Sequence, residues 1–82
     1  MSKKNNQQIL DFFEVTDEQM AVEIVTNKYN IPSHVEEIDA LMKAWAYLID
    51  TQVVWEPRNK HLGRVATRMI YNGTIPKPSY WQ

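Results

Sequence analysis

Few residues in this chain of 82 could carry out chemistry. It has two histidines, His34 and His61, and no cysteine. A metal site needs several converging ligands, and a nucleophile needs an oriented base beside it. Thr16 and Ser33 are explained as helix caps, and neither glycine begins a phosphate-binding loop. We therefore expect that the protein binds no metal and no cofactor, that it has no catalytic residue and that it is not an enzyme. A small enzyme or toxin that uses His61 is the weakest alternative.

The charged residues are divided unevenly along the chain. Residues 1–51 hold four Lys and nine acidic residues, a net charge of −5, whereas residues 52–82 hold five Lys or Arg and one acid, a net charge of +4. Lys60, Arg64 and Arg68 recur every four residues, so they share one face of a helix. Such a basic stripe implies a partner for its charge. The partner is either the chain's own acidic helices, an acidic protein or a nucleic acid.

Aromatic residues near the C-terminus suggest a second kind of contact. Trp55, Tyr80 and Trp81 lie outside the predicted helix cores. They could fold back over a small core, or they could form a binding surface, because Trp, Tyr and Arg dominate binding hot spots. The predicted partner-binding residues are Trp55, Arg58, Lys60, Arg64, Arg68, Tyr80 and Trp81.

Four helical segments are predicted to position these side chains, at about residues 5–15, 17–29, 34–50 and 60–71, followed by an extended tail over 74–82. Two capping-box patterns, Thr16 with Gln19 and Ser33 with Glu36, indicate helix starts. Asn59 is the expected cap of the last helix. Asn30 and the Asn72-Gly73 pair indicate helix ends, and Gly63 should permit close packing against the central helix. Residues 52–55 could extend a helix or form a short strand, and Pro57 predicts a break.

The 34–50 segment is the predicted central helix, because it is apolar around most of its circumference. One face carries Trp45, which we expect to be buried. A second face carries Ala40, Ala44 and Tyr47. Covering both faces within so short a chain is geometrically difficult, so this second face predicts self-association, as a two-fold homodimer. The alternative is that a different protein covers it.

Composition sets the class of protein. Apolar residues make up 44% and charged residues 23%, which is ordinary for a globular domain. No apolar run approaches the roughly 20 residues of a membrane span, and no secretory leader is visible. We predict a single all-α domain over residues 1–82, a compact bundle of three to four short helices with an extended C-terminal tail. It would act in the cytoplasm, or in the host cytoplasm if it is phage-encoded, and not at a membrane.

The turn around Lys28 to Pro32 resembles that of a helix-turn-helix regulator. The residues that would then enter the major groove include Glu36, Glu37 and Asp39, which DNA phosphates would repel. We therefore interpret the resemblance as chance. If the protein binds DNA, the 60–71 helix is the better candidate for the helix that contacts it.

These observations lead to two functional hypotheses. The first is a small non-enzymatic protein that docks onto a protein partner as an adaptor, inhibitor or assembly factor. Short cysteine-free chains of this kind are frequent among phage and mobile-element accessory proteins. The alternative is a nucleic-acid-binding regulator that uses the basic 60–71 helix. Salt dependence separates the two, because each neutralised phosphate steepens the loss of affinity with salt.

Overall fold

The computed structural model describes residues 13–81, and every regular element in that range is helical. The α-helices are α1 (Glu18–Val25), α2 (Glu37–Asp50) and α3 (Lys60–Tyr71). Two 3-10 turns, Val53–Trp55 and Pro57–Asn59, connect α2 to α3. The all-α class is confirmed, and residues 52–55 do not form a strand. None of the helices in this range has the length and apolar character needed to cross a membrane.

The predicted helix over residues 5–15 lies outside the described residues except for its last three. Phe13, Glu14 and Val15 are not helical, so the prediction is wrong for these positions. Phe13 is buried, and its carbonyl accepts a hydrogen bond of 2.7 Å from Lys43 Nζ. The segment before α1 is therefore held against α2.

The cap of α1 is Asp17, one residue later than predicted. The backbone of Asp17 is extended, and its Oδ1 accepts a hydrogen bond of 2.8 Å from the Met20 amide. Thr16 instead directs its hydroxyl to the Met20 sulfur, and the Gln19 amide donates to Glu23 rather than reaching back. Asp17 is the better cap because its negative charge also interacts favourably with the helix dipole.

Two positions after its last helical residue, each described α-helix is followed by a residue in the left-handed conformation: Asn27, Gln52 and Gly73. Asn27 ends α1 three residues before the predicted stop at Asn30. The Lys28 amide donates to the Glu23 carbonyl at 2.7 Å, which is the hydrogen bond of a Schellman motif. Asn27 tolerates this conformation as well as Asn30 does, so the earlier asparagine ends the helix. The stop at Asn72-Gly73 is confirmed.

The start of α2 also differs from the prediction. Ser33 and His34 form a turn closed by a hydrogen bond of 3.0 Å from the Val35 amide to the Pro32 carbonyl. The helix begins at Glu37, and no side chain caps it. The predicted Ser33 capping box is wrong, because the turn uses these residues before the helix starts.

The face that carries Ala40 and Ala44 is covered within the chain. Both residues are completely buried, and Tyr47 is half-buried. Among the described elements, α2 packs mainly on α1, where Ala21 is also fully buried. The prediction is wrong for Ala40 and Ala44, because the close approach that small residues allow is already used inside one chain; self-association through Tyr47 stays a prediction. Trp45 is buried, as expected.

The first 3-10 turn, Val53–Trp55, connects the two longer helices by packing on both of them. Val54 is fully buried there. A Cβ atom at Gly63 of α3 would lie only 2.9 Å from the Val54 carbonyl oxygen. The close packing predicted at Gly63 therefore exists, but its partner is this turn and not the central helix.

Candidate interaction surface on α3

Arg58 is neutralised by acidic residues of the same chain. Its Nη2 lies 2.6 Å from Glu18 Oε1, and its Nε donates to Glu18 Oε2 at 3.0 Å. Its Nη1 lies 2.8 Å from Glu56 Oε1. Hydrogen bonds from Arg58, and then from Asn59, lower the pKa of Glu18 below its ordinary value, while Glu18 raises the pKa of Arg58. Arg58 was predicted to bind a partner, but in this arrangement it joins α1 to the second 3-10 turn.

Asn59 completes the same network from inside the fold. It is buried, and its Nδ2 donates to Glu18 Oε2 at 3.1 Å and to the Val53 carbonyl at 2.9 Å. Asn59 occupies the cap position of α3, but its side chain does not cap the helix. These contacts fix the start of α3 relative to α1.

The three aromatic residues outside the helix cores meet in one place, which we call the aromatic cluster: Trp55, Tyr80 and Trp81. Trp55 Nε1 donates to the Tyr80 hydroxyl at 2.8 Å, and that hydroxyl donates to the Ile49 carbonyl. The rings of Trp55 and Trp81 lie 5.3 Å apart between centroids and are tilted by 34°. The C-terminal tail therefore folds back onto the helices, which is the first of the two arrangements that the sequence allowed.

The basic stripe of α3 is open to solvent. Lys60, Arg64 and Arg68 are all exposed, and none of them makes an ion pair or side-chain hydrogen bond with a residue in the range 13–81. One helical turn past Arg68 lies Tyr71, whose side chain is 81% exposed. We call these four residues the outer face of α3. Tyr71 was not among the predicted partner-binding residues, although its spacing continues the basic stripe.

Two grooves flank this outer face. Near the start of α3, a groove between the helix and the 3-10 turns is lined in part by Trp55, Lys60 and Arg64. Near its end lies a second groove of about 530 Å³, which we call the aromatic groove; it is lined by Ile70, Tyr71, Lys77, Tyr80 and Trp81. The rings of Tyr71 and Trp81 lie 6.2 Å apart there. Six of the seven predicted partner-binding residues thus lie on the outer face or along these grooves, whereas Arg58 is engaged elsewhere.

The two histidines lie in different elements of the fold. His34 lies in the turn before α2 and His61 in the first turn of α3, and both are exposed. Within residues 13–81, no three His, Asp or Glu side chains cluster as metal ligands. That the protein is not an enzyme stays a prediction.

Comparisons of the chain with family models, with curated proteins and with solved structures find no match. A function for this chain therefore rests on the chemistry of its surface. The outer face of α3 is the part of the described surface where cations without partners and an exposed aromatic ring occur together.

Proposed function

We propose that the protein is a small, non-enzymatic helical-bundle module that docks onto a protein partner through the outer face of α3. It would act as an adaptor, inhibitor or assembly factor in the cytoplasm, as many phage and mobile-element accessory proteins do. The observation that supports this most directly is the exposure of Tyr71 beside three cations that have no partner in the described chain. Arg and Tyr are the residue types that most often carry binding energy at protein interfaces.

The inner side of α3 is suited to hold such a surface in place. Glu18, Arg58 and Asn59 fix the start of the helix, and the aromatic cluster supports its end. A surface that is already ordered before binding loses little conformational entropy when a partner arrives. The outer face therefore needs no rearrangement of α3 to bind.

The proposed partner is a different protein and not a second copy bound through this face. A two-fold dimer places the same patch of each copy against itself. Here that would bring the basic stripes of two copies together, and like charges repel. The burial of Ala40 and Ala44 inside the chain also favours a different protein over the homodimer predicted through Ala40, Ala44 and Tyr47.

A nucleic-acid-binding regulator is the second candidate. Cations at four-residue spacing next to an exposed aromatic ring could contact phosphates and stack on a base. The whole chain has a net charge of −1, however, and its first 51 residues carry −5. A long polyanion would meet repulsion over much of the molecule, whereas a partner confined to α3 would not.

Affinity capture from a lysate of the source organism tests the proposal. The wild-type chain is compared with Arg64→Glu and with Lys28→Glu, which makes the same charge change at an exposed residue away from α3. We expect a nuclease-resistant protein to be retained by the wild type and by Lys28→Glu but lost with Arg64→Glu. The identified protein is then purified and titrated directly. Capture that is sensitive to nuclease, or that is unchanged in Arg64→Glu, would overturn the proposal.

A further inference from the structure

The basic stripe has a regular spacing that limits what can lie along it. An α-helix rises about 1.5 Å per residue, so Lys60, Arg64 and Arg68 follow one another at about 6 Å. A second helix that carries a carboxylate every four residues repeats the same distance. Two such rows of side chains run parallel when the helices cross at about −50°, so three ion pairs could then form together without distortion of either backbone.

The fold also limits the backbone conformation of a partner segment that could bind along α3. An extended peptide often binds by adding a strand to the edge of a sheet. Residues 13–81 contain no strand, so this part of the chain offers no such edge. A helix brings its own backbone hydrogen bonds with it and needs only side-chain contacts from α3.

The electrostatic surroundings of the stripe favour an acidic occupant. Glu56 lines the same groove as Lys60 and Arg64, but its carboxylate is paired with Arg58 at 2.8 Å. It therefore does not neutralise the stripe. Lys77 adds a further cation where the aromatic groove begins.

The aromatic groove supplies an apolar contact in register with the stripe. Tyr71 belongs to both, since it lies three residues after Arg68 and lines the groove with Ile70 and Trp81. A volume of about 530 Å³ is more than one apolar side chain needs. An occupant that follows the stripe would reach this groove one helical turn beyond its last carboxylate.

From these features we infer that the outer face of α3 binds an acidic amphipathic helix of a partner protein. Carboxylates at four-residue spacing pair with Lys60, Arg64 and Arg68, and an apolar side chain one turn further enters the aromatic groove. The inference rests on the proposed function and specifies the chemistry of the partner.

Synthetic helical peptides test this inference without knowledge of the partner. One peptide carries Glu at every fourth position and a Leu one turn beyond the last Glu. A second has the same composition, with the Glu residues distributed around the helix. Binding to the full chain is measured by isothermal titration calorimetry at low and high salt, and backbone NMR shifts locate the contact. Duplex and single-stranded DNA are titrated in parallel.

We expect the patterned peptide to bind more tightly than the scrambled one, to shift signals of Arg64 and Tyr71, and to weaken with salt. Arg64→Glu should reduce its affinity about tenfold or more, while Lys28→Glu should leave it nearly unchanged. Circular dichroism establishes that both variants are folded. Tyr71→Ala should weaken binding at high salt as well as at low salt, because its contribution is apolar.

Three results would overturn the inference: equal affinity for the two peptides, binding that Arg64→Glu does not change, or tighter binding of DNA than of the patterned peptide. These failures can be told apart from failure of the proposed function. If the captured partner still binds in an Arg64-dependent way but the patterned peptide does not, the docking function stands and the acidic-helix inference falls. If partner capture does not depend on Arg64, the proposed function itself falls.

Discussion

The aromatic cluster and the outer face of α3 are built from the same kinds of residues, but the fold uses them differently. In the cluster, Trp55 is hydrogen-bonded to Tyr80 and packed on Trp81, and nearby Arg58 is paired with Glu18. On the outer face, Arg64 is exposed without an ion pair among the described residues, and Tyr71 is 81% exposed although its ring centroid lies 6.2 Å from that of Trp81. Large aromatic and Arg side chains therefore serve as internal supports on one side of α3 and are left open on the other.

This difference shows that residue type alone does not identify a binding surface. Trp, Tyr and Arg are enriched at interfaces because they combine apolar area with a polar group. The same combination lets them close a small core whose helices cannot cover it. What separates the two uses is whether the charged group has a partner within the chain: Arg58 has one, whereas the three cations of the outer face have none among the described residues.

The largest effect on stability is expected when a buried aromatic residue is truncated, and truncation of the exposed one provides the comparison. Trp45 is only 7% exposed, so Trp45→Ala should lower the free energy of unfolding by about 3–5 kcal/mol. Tyr71→Ala should lower it by no more than about 1.5 kcal/mol, because the ring is 81% exposed and its contact with the rest of the chain is the tilted pair with Trp81. Urea denaturation followed by circular dichroism measures both. If Tyr71→Ala were as destabilising as Trp45→Ala, the outer face would be part of the core.

A second test concerns the hydroxyl that ties the tail to the helices. Tyr80→Phe removes the acceptor of the Trp55 hydrogen bond and the donor to the Ile49 carbonyl. Because both hydrogen bonds are at least partly accessible to water, their loss should cost about 0.5–1.5 kcal/mol. The matched control is Tyr71→Phe, which removes a hydroxyl from the exposed ring and should have almost no effect. Equal and negligible changes in the two urea midpoints would show that the tail is not held by this contact.

The sequence predicted those features that depend on local signals. The bounds of α3 agree with the structure because a proline break precedes it and Asn72-Gly73 ends it. The basic stripe follows from the four-residue spacing alone. By contrast, Trp55 meets Tyr80 across 25 residues and Arg58 meets Glu18 across 40. No local pattern specifies such contacts, so the sequence could not decide which residues would be used internally.

The positions of helix starts could be predicted from the sequence only in part. Thr16 and Asp17 are neighbours, and both are good N-caps, so the pattern indicates a helix start but not which of the two residues caps it. Ser33 has the right spacing to Glu36, yet the turn after Pro32 uses it first. The prediction of self-association through Ala40 and Ala44 failed for a related reason. Ala40 and Ala44 do mark a place of close helix approach, but the approaching helix belongs to the same chain.

A third test concerns the N-terminal cap of α1, the helix that contains Glu18. Asp17→Ala removes the side-chain acceptor of the Met20 amide and should cost about 1 kcal/mol. Thr16→Ala should cost less, because its hydroxyl has only a long contact of 3.9 Å with the Met20 sulfur. Ser33→Ala should likewise have little effect. Thermal or urea unfolding of the three variants ranks them, and a larger loss for Thr16 or Ser33 than for Asp17 would contradict the observed caps.

The smallest effect expected is a change in how stability depends on pH. The pKa of Glu18 is lowered in the folded chain, first by the hydrogen bond from Arg58 and then by that from Asn59. The unfolded chain therefore takes up a proton at this residue before the folded chain does as the pH falls. The contribution of Glu18 to stability is complete above its unfolded pKa and is lost as the pH falls through its folded pKa. In Glu18→Gln this part of the acid sensitivity should disappear, so the stability difference between wild type and variant should shrink on acidification.

Glu37→Gln, at an exposed position on α2, is the matched control. Urea unfolding at a series of pH values from neutral to acidic measures the difference for each variant. If Glu18→Gln and Glu37→Gln gave parallel pH profiles, Arg58 would not be engaged by Glu18 in solution. Arg58 would then be held by Glu56 alone, an acidic residue of its own connecting segment, and it would no longer join α1 to the start of α3.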